Sequence, residues 1–323
     1  MAAKSLHLNR LGRIHDISDI CCSGYGCGHF IALFRYVGQC VIPPKPDARF
    51  SEVLAAAIED LSRTGFVSQD RLNEWITWLR NAAERDIGPT WEVDAEVRKG
   101  FTTLFERFVD GTKLPEHVPG IARFTKENIK PRLYPELDRR ITAAADLIKY
   151  NRQEAINTTL RRFSGWATSI PPGGDDTIDK RDTRSMLGKE LREYRYHKRL
   201  VANDQGHKLI ANVANIVATD AGAIAGIWNS HGHTDKHYNA RKTHLERDGK
   251  IYLIRDSWAH KEGLVKPKYG YTDDITAPGQ EVNCRCWLTY ITSPRKLPDE
   301  MLTKKGQRWI EEGKQRLAAM GVA

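Results

Sequence analysis

From Ser51 to Trp166 the apolar residues recur at spacings of three and four, and glycine and proline steps interrupt the run at intervals. That period matches one face of an α-helix, so the stretch can fold only as helices packed stripe to stripe. Ser51 is placed to cap "EVLAAAIEDLSRT", with Gly65 as its stop. Ser68 is placed to cap "QDRLNEWITWLRNAAERD", where Leu72, Trp75, Ile76, Leu79 and Ala83 form one apolar face, and Gly88-Pro89 ends it. A third helix over about 92–110 sets Val93, Val97, Leu104, Phe105 and Phe108 to one side. A fourth runs from Pro135, acceptable in a first turn, to about Trp166, with Leu137, Ile141, Ala144, Ile148, Ala155 and Phe163 inward. The aromatics on these faces read as core rather than as a cofactor site.

"SIPPGGDD", residues 169–176, reads as a linker and sets the main boundary. Before residue 49 the chain is different again. Cys21, Cys22, Cys27, His29 and Cys40 lie among glycines, and "VIPPKPDARF" closes an irregular arm, with a short helix or strand at "FIALFRYV". The cysteine spacing there lacks a second paired ligand set, so small buried thiols compete with a metal knuckle. The expected organisation is a Cys-rich arm at 1–48, a helical domain at 49–170 and a small α+β domain at 176–323 with a helical tail. The fold class is therefore α+β, with a central helix packed on a short antiparallel sheet.

Within the last part, "DTRSMLGKELREYRYHKRLV" reads as a basic amphipathic helix with Leu187, Leu191 and Tyr194 inward. "GHKLIANVANIVATDAGAIAGIW" is small and apolar and reads as the central helix, in which Asn212, Asn215 and Asp220 need partners. The period then shortens. Asp248-Gly249 between two short extended runs reads as a two-residue hairpin turn, and "VNCRCWLTYI", residues 282–291, as a last strand.

On such a strand Cys284 and Cys286 share one face, because side chains alternate. They are badly placed to bond one another there. His231, His233, His237, His244 and His260 are possible companions, which makes His244, Cys284 and Cys286 a candidate zinc set. A packed corner that uses the thiols as small hydrophobes is the competing reading. A metal nuclease built on "HGHTDKH", Asn239 and His244 lacks paired carboxylates. The chain also lacks a nucleophile elbow, a Gly-rich phosphate loop and an H-E-x-x-H helix.

The formal net charge is +9, and the basic excess falls after residue 120. Arg184, Lys189, Arg192, Arg195, Lys198 and Arg199 concentrate it on one segment, which meets either solvent or an anion such as DNA. A chain 40% hydrophobic and 28% charged, with no continuous apolar run, suits a globular protein without a membrane span. The opening residues lack the apolar stretch of a secretory signal, so a reducing cytoplasm is the expected place of synthesis.

Taken in order, a small-residue helix ending at Trp228, Arg241 and His244 as R-x-x-H, Asp248-Gly249, Pro278-Gly279 and Asn283-Cys284-Arg285-Cys286 resemble the Mu F-like head morphogenesis family of tailed phages, the minor capsid or minor head proteins. The resemblance covers about residues 182–292, and N-C-R-C after Pro-Gly is its most specific part. Members usually carry an Asp close before the Arg of R-x-x-H, whereas here Asp235 lies well ahead of Arg241 in a His-rich stretch. The resemblance implies a virion component made in a bacterial host and held inside the head, not an enzyme. Its implied partners are the portal, the major capsid or scaffold protein, and packaged DNA. A metal-dependent nuclease or toxin-like enzyme and a general nucleic-acid-binding module are the alternatives.

Overall fold

The computed structural model describes residues 43–111, 126–231 and 240–319, and Pro46–Ala323 forms one compact unit. The Cys-rich arm through residue 42 lies outside the described residues, as do His233, Asp235, His237 and Asn239.

Three helices open the unit: α1 (Phe50–Thr64), α2 (Gln69–Asp86) and α3 (Thr90–Gly111). Ser68 caps α2 as expected, its side chain accepting from the Arg71 N–H at 3.2 Å. Ser51 does not cap α1. Arg49 takes that position, and the Glu52 carboxylate reaches back to the Arg49 N–H at 3.1 Å. On α3 the buried stripe is Val93, Val97, Phe101, Phe105 and Val109. Leu104 is 37% exposed and Phe108 half-buried, because Phe101 rather than Leu104 continues the 93–97 row. Buried Asp60 of α1 accepts from Arg71 Nε (3.1 Å) and Trp75 Nε1 (2.9 Å) of α2, so the pair is locked by a charged network as well as by packing.

The long helix α4 (Lys126–Ser169) starts earlier than the proline suggests, and Pro131 and Pro135 both lie inside it. Its predicted stripe is buried throughout. Buried Arg152 donates to the carbonyls of Glu84 (3.1 Å) and Gly88 (2.9 Å), satisfying the open end of α2. The Pro-Gly segment after α4 is docked rather than free. Gly173 N–H donates to Thr64 O (3.1 Å) and Asp175 N–H to Ser62 O (2.8 Å). A Cβ on Gly174 would stand 2.2 Å from Ser62 O. The turn therefore ties the start of the next segment to the end of α1.

The basic segment is two helices, α5 (Lys180–Leu187) and α6 (Lys189–Asp220), broken at Gly188. α6 runs on through most of the small-residue stretch and packs along α4. Their contact is polar as well as apolar. Asn212 donates to Glu136 (2.8 Å), Arg140 to Gln205 (3.2 Å), and Arg132 pairs with Asp220 (2.6 Å). Gly222 (φ 80°) ends the helical run, so the expected helix through Trp228 is overturned. Residues Ala225–Asn229 are instead β1, the centre of an antiparallel sheet ordered β2-β1-β3, with β2 at Ile251–Leu253 and β3 at Trp287–Ile291.

Register sorts the two faces. Ala225 pairs with Leu253 and Ile291, and Trp228 with Leu288. Ala225, Leu253 and Ile291 pack with Leu264, Val265, Met301 and Ile310, the last from α9 (Lys304–Ala319), after the one-turn helix α8 (Trp258–Lys261). The opposite face carries Trp228, Tyr252, Leu288 and Tyr290. Tyr290 donates to Asn215 of α6 at 3.1 Å. The Asp248-Gly249 step is a turn with Gly249 at φ 72°, but the run before it is α7 (Lys242–Leu245), a single helical turn, so no hairpin forms. The last strand is also shorter than expected: Cys284 and Cys286 precede β3.

Candidate metal centre

α7 places His244 in the interior, 1% exposed, beneath the end of the central strand. Trp228 of β1 is fully buried against it, the two rings edge to face with centroids 5.4 Å apart. Cys284 (1% exposed) and Cys286 (5%) approach from the other side, both as free thiols. Cys286 Sγ lies 3.5 Å and Cys284 Sγ 3.7 Å from the same imidazole nitrogen, Nδ1 of His244. The sequence-predicted set is thus brought together, though by a loop rather than by the pleat of a strand.

Two left-handed residues make that loop. Gly279 has φ 76° and Asn283 φ 59°, a conformation that glycine and asparagine tolerate best. The Gly279 N–H donates to Cys284 Sγ at 3.4 Å, and its missing Cβ leaves room for α6, whose Ala211 Cβ would stand 3.3 Å away. The Asn283 N–H donates to Asp204 of α6 at 2.6 Å, and Asp204 is held by Lys208 at 2.6 Å. Buried Pro278 precedes this anchor.

Arg241 binds the loop from outside. Its Nε meets Glu281 Oε2 at 2.7 Å, and its Nη2 donates to the Val282 carbonyl at 3.0 Å. The other oxygen of Glu281 faces His244 Nε2 at 3.5 Å. Gly249 closes the corner by donating to Trp228 O at 2.8 Å, and the Arg247 guanidinium lies 5.1 Å above the Trp228 ring. Trp228, His244, Cys284 and Cys286 therefore meet at one buried point, while Arg241, Gly249, Gly279 and Asn283 hold the segments that carry them. Arg285 lines the adjoining cleft, as do Pro278 and Cys286.

Sequence reasoning missed Asp204, Arg247 and Glu281. Glu281 had the best available signal, an acid directly before N-C-R-C. Asp204 lies far away in sequence, and Arg247, three residues after His244, carries no local pattern. His231 lines the cleft, and His260 belongs elsewhere, bonded to the Tyr271 hydroxyl at 2.9 Å.

The two thiols titrate as a unit. A hydrogen bond from Cys286, aided by the Gly279 N–H and opposed by burial, holds Cys284 well below the usual thiol range. The same bond, together with burial, drives Cys286 far above it. The cleft beside them measures about 840 Å³ and is walled by His207, Ala211, Asn215, Arg285, Cys286 and Tyr290. Burial and the neighbouring Arg285 charge lower the His207 pKa, and burial raises that of Tyr290, so both walls favour neutral side chains.

Away from this corner, Arg184, Lys189, Arg192, Arg195 and Arg199 are exposed on α5 and α6. Lys198 is half-buried and paired with Glu96, while Arg192 donates to the Ser185 carbonyl at 2.5 Å. Arg184, Arg192 and Arg195 border a shallow hollow of about 320 Å³ with Phe50 and Asp86. No helix among the described residues is long and apolar enough to cross a membrane. No protein-family model matches the chain, and neither a curated protein nor a solved structure does.

Proposed function

We propose that the chain is a minor head protein of a tailed phage, bound to the portal or the inner face of the procapsid, where it assists head assembly and DNA packaging or ejection. The observation that supports this reading is the convergence of the residues behind the Mu F-like resemblance. Spread over more than fifty positions, Trp228, His244, Cys284 and Cys286 meet at one buried corner, and Arg241, Gly279 and Asn283 hold the loops around it. That corner joins α6, the sheet and the 278–286 loop, as suits a module that holds its shape while binding a larger assembly. With His244 1% exposed between two thiols, the corner favours a structural role over one that activates water on a phosphodiester.

The test is deletion of the reading frame in a phage that carries it. Purified virions should contain the chain in few copies. Heads made without it should be fewer or less infectious, and the chain should co-purify with portal oligomers. Virions that lack the protein, with unchanged yield on deletion, would overturn the proposal.

A second reading, nucleic-acid binding, is favoured by the exposed basic row on α5 and α6. It is compatible with the first, since the chain would meet packaged DNA inside the head.

A further inference from the structure

We propose that Cys284, Cys286 and His244 Nδ1 hold a zinc-class divalent cation, and that Glu281 is the positioning carboxylate of the centre. This stands apart from the head-protein reading and survives its failure.

The argument is geometric. His244, Cys284 and Cys286 are all buried, and their donor atoms lie within 4.8 Å of one another. Tetrahedral zinc with its usual bonds to sulfur and nitrogen sets those donors about 3.6 Å apart along the edge of the tetrahedron. The two sulfur-to-Nδ1 distances are 3.5 and 3.7 Å. Hydrogen bonding explains the arrangement less well, because Nδ1 has one lone pair and two thiols converge on it. A cation accepts all three donors at once.

The surroundings match as well. A ligating histidine commonly presents its other nitrogen to a carboxylate, which sets the tautomer and the ring angle. Glu281 Oε1 stands 3.5 Å from His244 Nε2, and that nitrogen has no closer hydrogen-bond partner among the described residues. Arg241 fixes the carboxylate from behind at 2.7 Å. The Gly279 N–H aimed at Cys284 Sγ stabilises negative charge on a ligand sulfur. Arg241, His244, Gly279, Cys284 and Cys286 of the R-x-x-H, Pro-Gly and N-C-R-C series then each have a task around one ion. Cys286 also lies on the wall of the adjoining cleft.

The full chain should be purified without added metal and without a histidine tag, and its zinc content measured. It should then be stripped with a chelator and titrated with Co(II). The expected result is about one equivalent of zinc and, with cobalt, an intense sulfur-to-metal charge-transfer band in the near ultraviolet. Cys284→Ser and Cys286→Ser should each abolish the band. These variants are needed for assignment because other cysteines lie before residue 43. Glu281→Gln should keep the stoichiometry while weakening affinity about 10- to 100-fold in a competition assay. Wild-type protein that stays folded by circular dichroism yet shows neither zinc nor a cobalt band overturns the site. A band that persists in both serine variants assigns the metal elsewhere and overturns it equally. Unchanged affinity in Glu281→Gln removes the positioning role.

Discussion

Gly279→Ala separates backbone strain from crowding, because the fold contains its own control. Gly279 and Gly249 have nearly the same backbone, φ 76° and 72°. An L-residue in that region costs about 1–2 kcal/mol, less about 0.4–1 kcal/mol regained because alanine also restricts the unfolded chain. A Cβ on Gly249 meets nothing within 4 Å, so Gly249→Ala should lose only this difference, on the order of 0.5–1 kcal/mol. A Cβ on Gly279 meets Ala211 Cβ at 3.3 Å, Lys208 Cα at 3.4 Å and the His207 carbonyl at 3.5 Å. Two of these are backbone atoms of α6 and cannot rotate away, so crowding adds about 1–3 kcal/mol. Gly279→Ala should therefore cost about 1.5–4 kcal/mol in equilibrium urea unfolding, with an unchanged dependence on urea. Adding Ala211→Gly should return part of the loss, despite its own helix penalty of about 1 kcal/mol. A Gly279→Ala variant no less stable than Gly249→Ala would refute the close approach of this loop to α6.

The α4–α6 contact should be pH-dependent through Glu136. Burial pushes its carboxyl upward, but hydrogen bonds from Asn212, Arg140 and Arg139 outweigh burial and leave its pKa lowered. Its stabilisation is thus present above the unfolded value of about 4.3 and is lost as pH falls through the lower folded value. Glu136→Gln should cost about 1.5–3 kcal/mol at pH 7 and much less near pH 3, and an equal loss at both would exclude the charge. Asp60→Ala, which takes the carboxylate from Arg71 and Trp75, should cost about 3–5 kcal/mol by thermal or urea melting, and a loss below about 1 kcal/mol would show the network to be dispensable. If the basic row binds DNA, replacing Arg184, Arg192, Arg195 and Arg199 by Gln should reduce the salt dependence of log K by roughly 0.9 per lost phosphate contact, whatever the sequence. An unchanged slope makes it a solvated face.

The helical half was legible because its elements are amphipathic and separately punctuated. Ser68 and the buried stripe of α4 follow from local chemistry. Trp228 was not legible in the same way. A central strand covered on both faces loses its alternation, and Ala223 to Gly226 is too small and apolar to separate a buried strand from a buried helix by period. Gly249 was read with the correct backbone need but the wrong neighbour, since the residues before it wind into one helical turn. The pairing of Cys284 with Cys286 was anticipated from strand alternation. What brings both to His244 is the loop held by Gly279 and Asn283, whose partner Asp204 lies 79 positions away. A single sequence carries no sign of contacts at that separation.

α6 is at once a wall of the helical bundle and the support of the sheet. Its Asn212 bonds to α4, while its Asn215 and Asp204 hold β3 and the cysteine loop. A cut at the Pro-Gly turn would not release a portable cassette. It would strip Leu191, Tyr194, Leu209 and Val213 of their packing. The small sheet and the long helices should accordingly melt as one transition in calorimetry. A recombination event that transplants the sheet into another chain has to carry the α4 surface along with it.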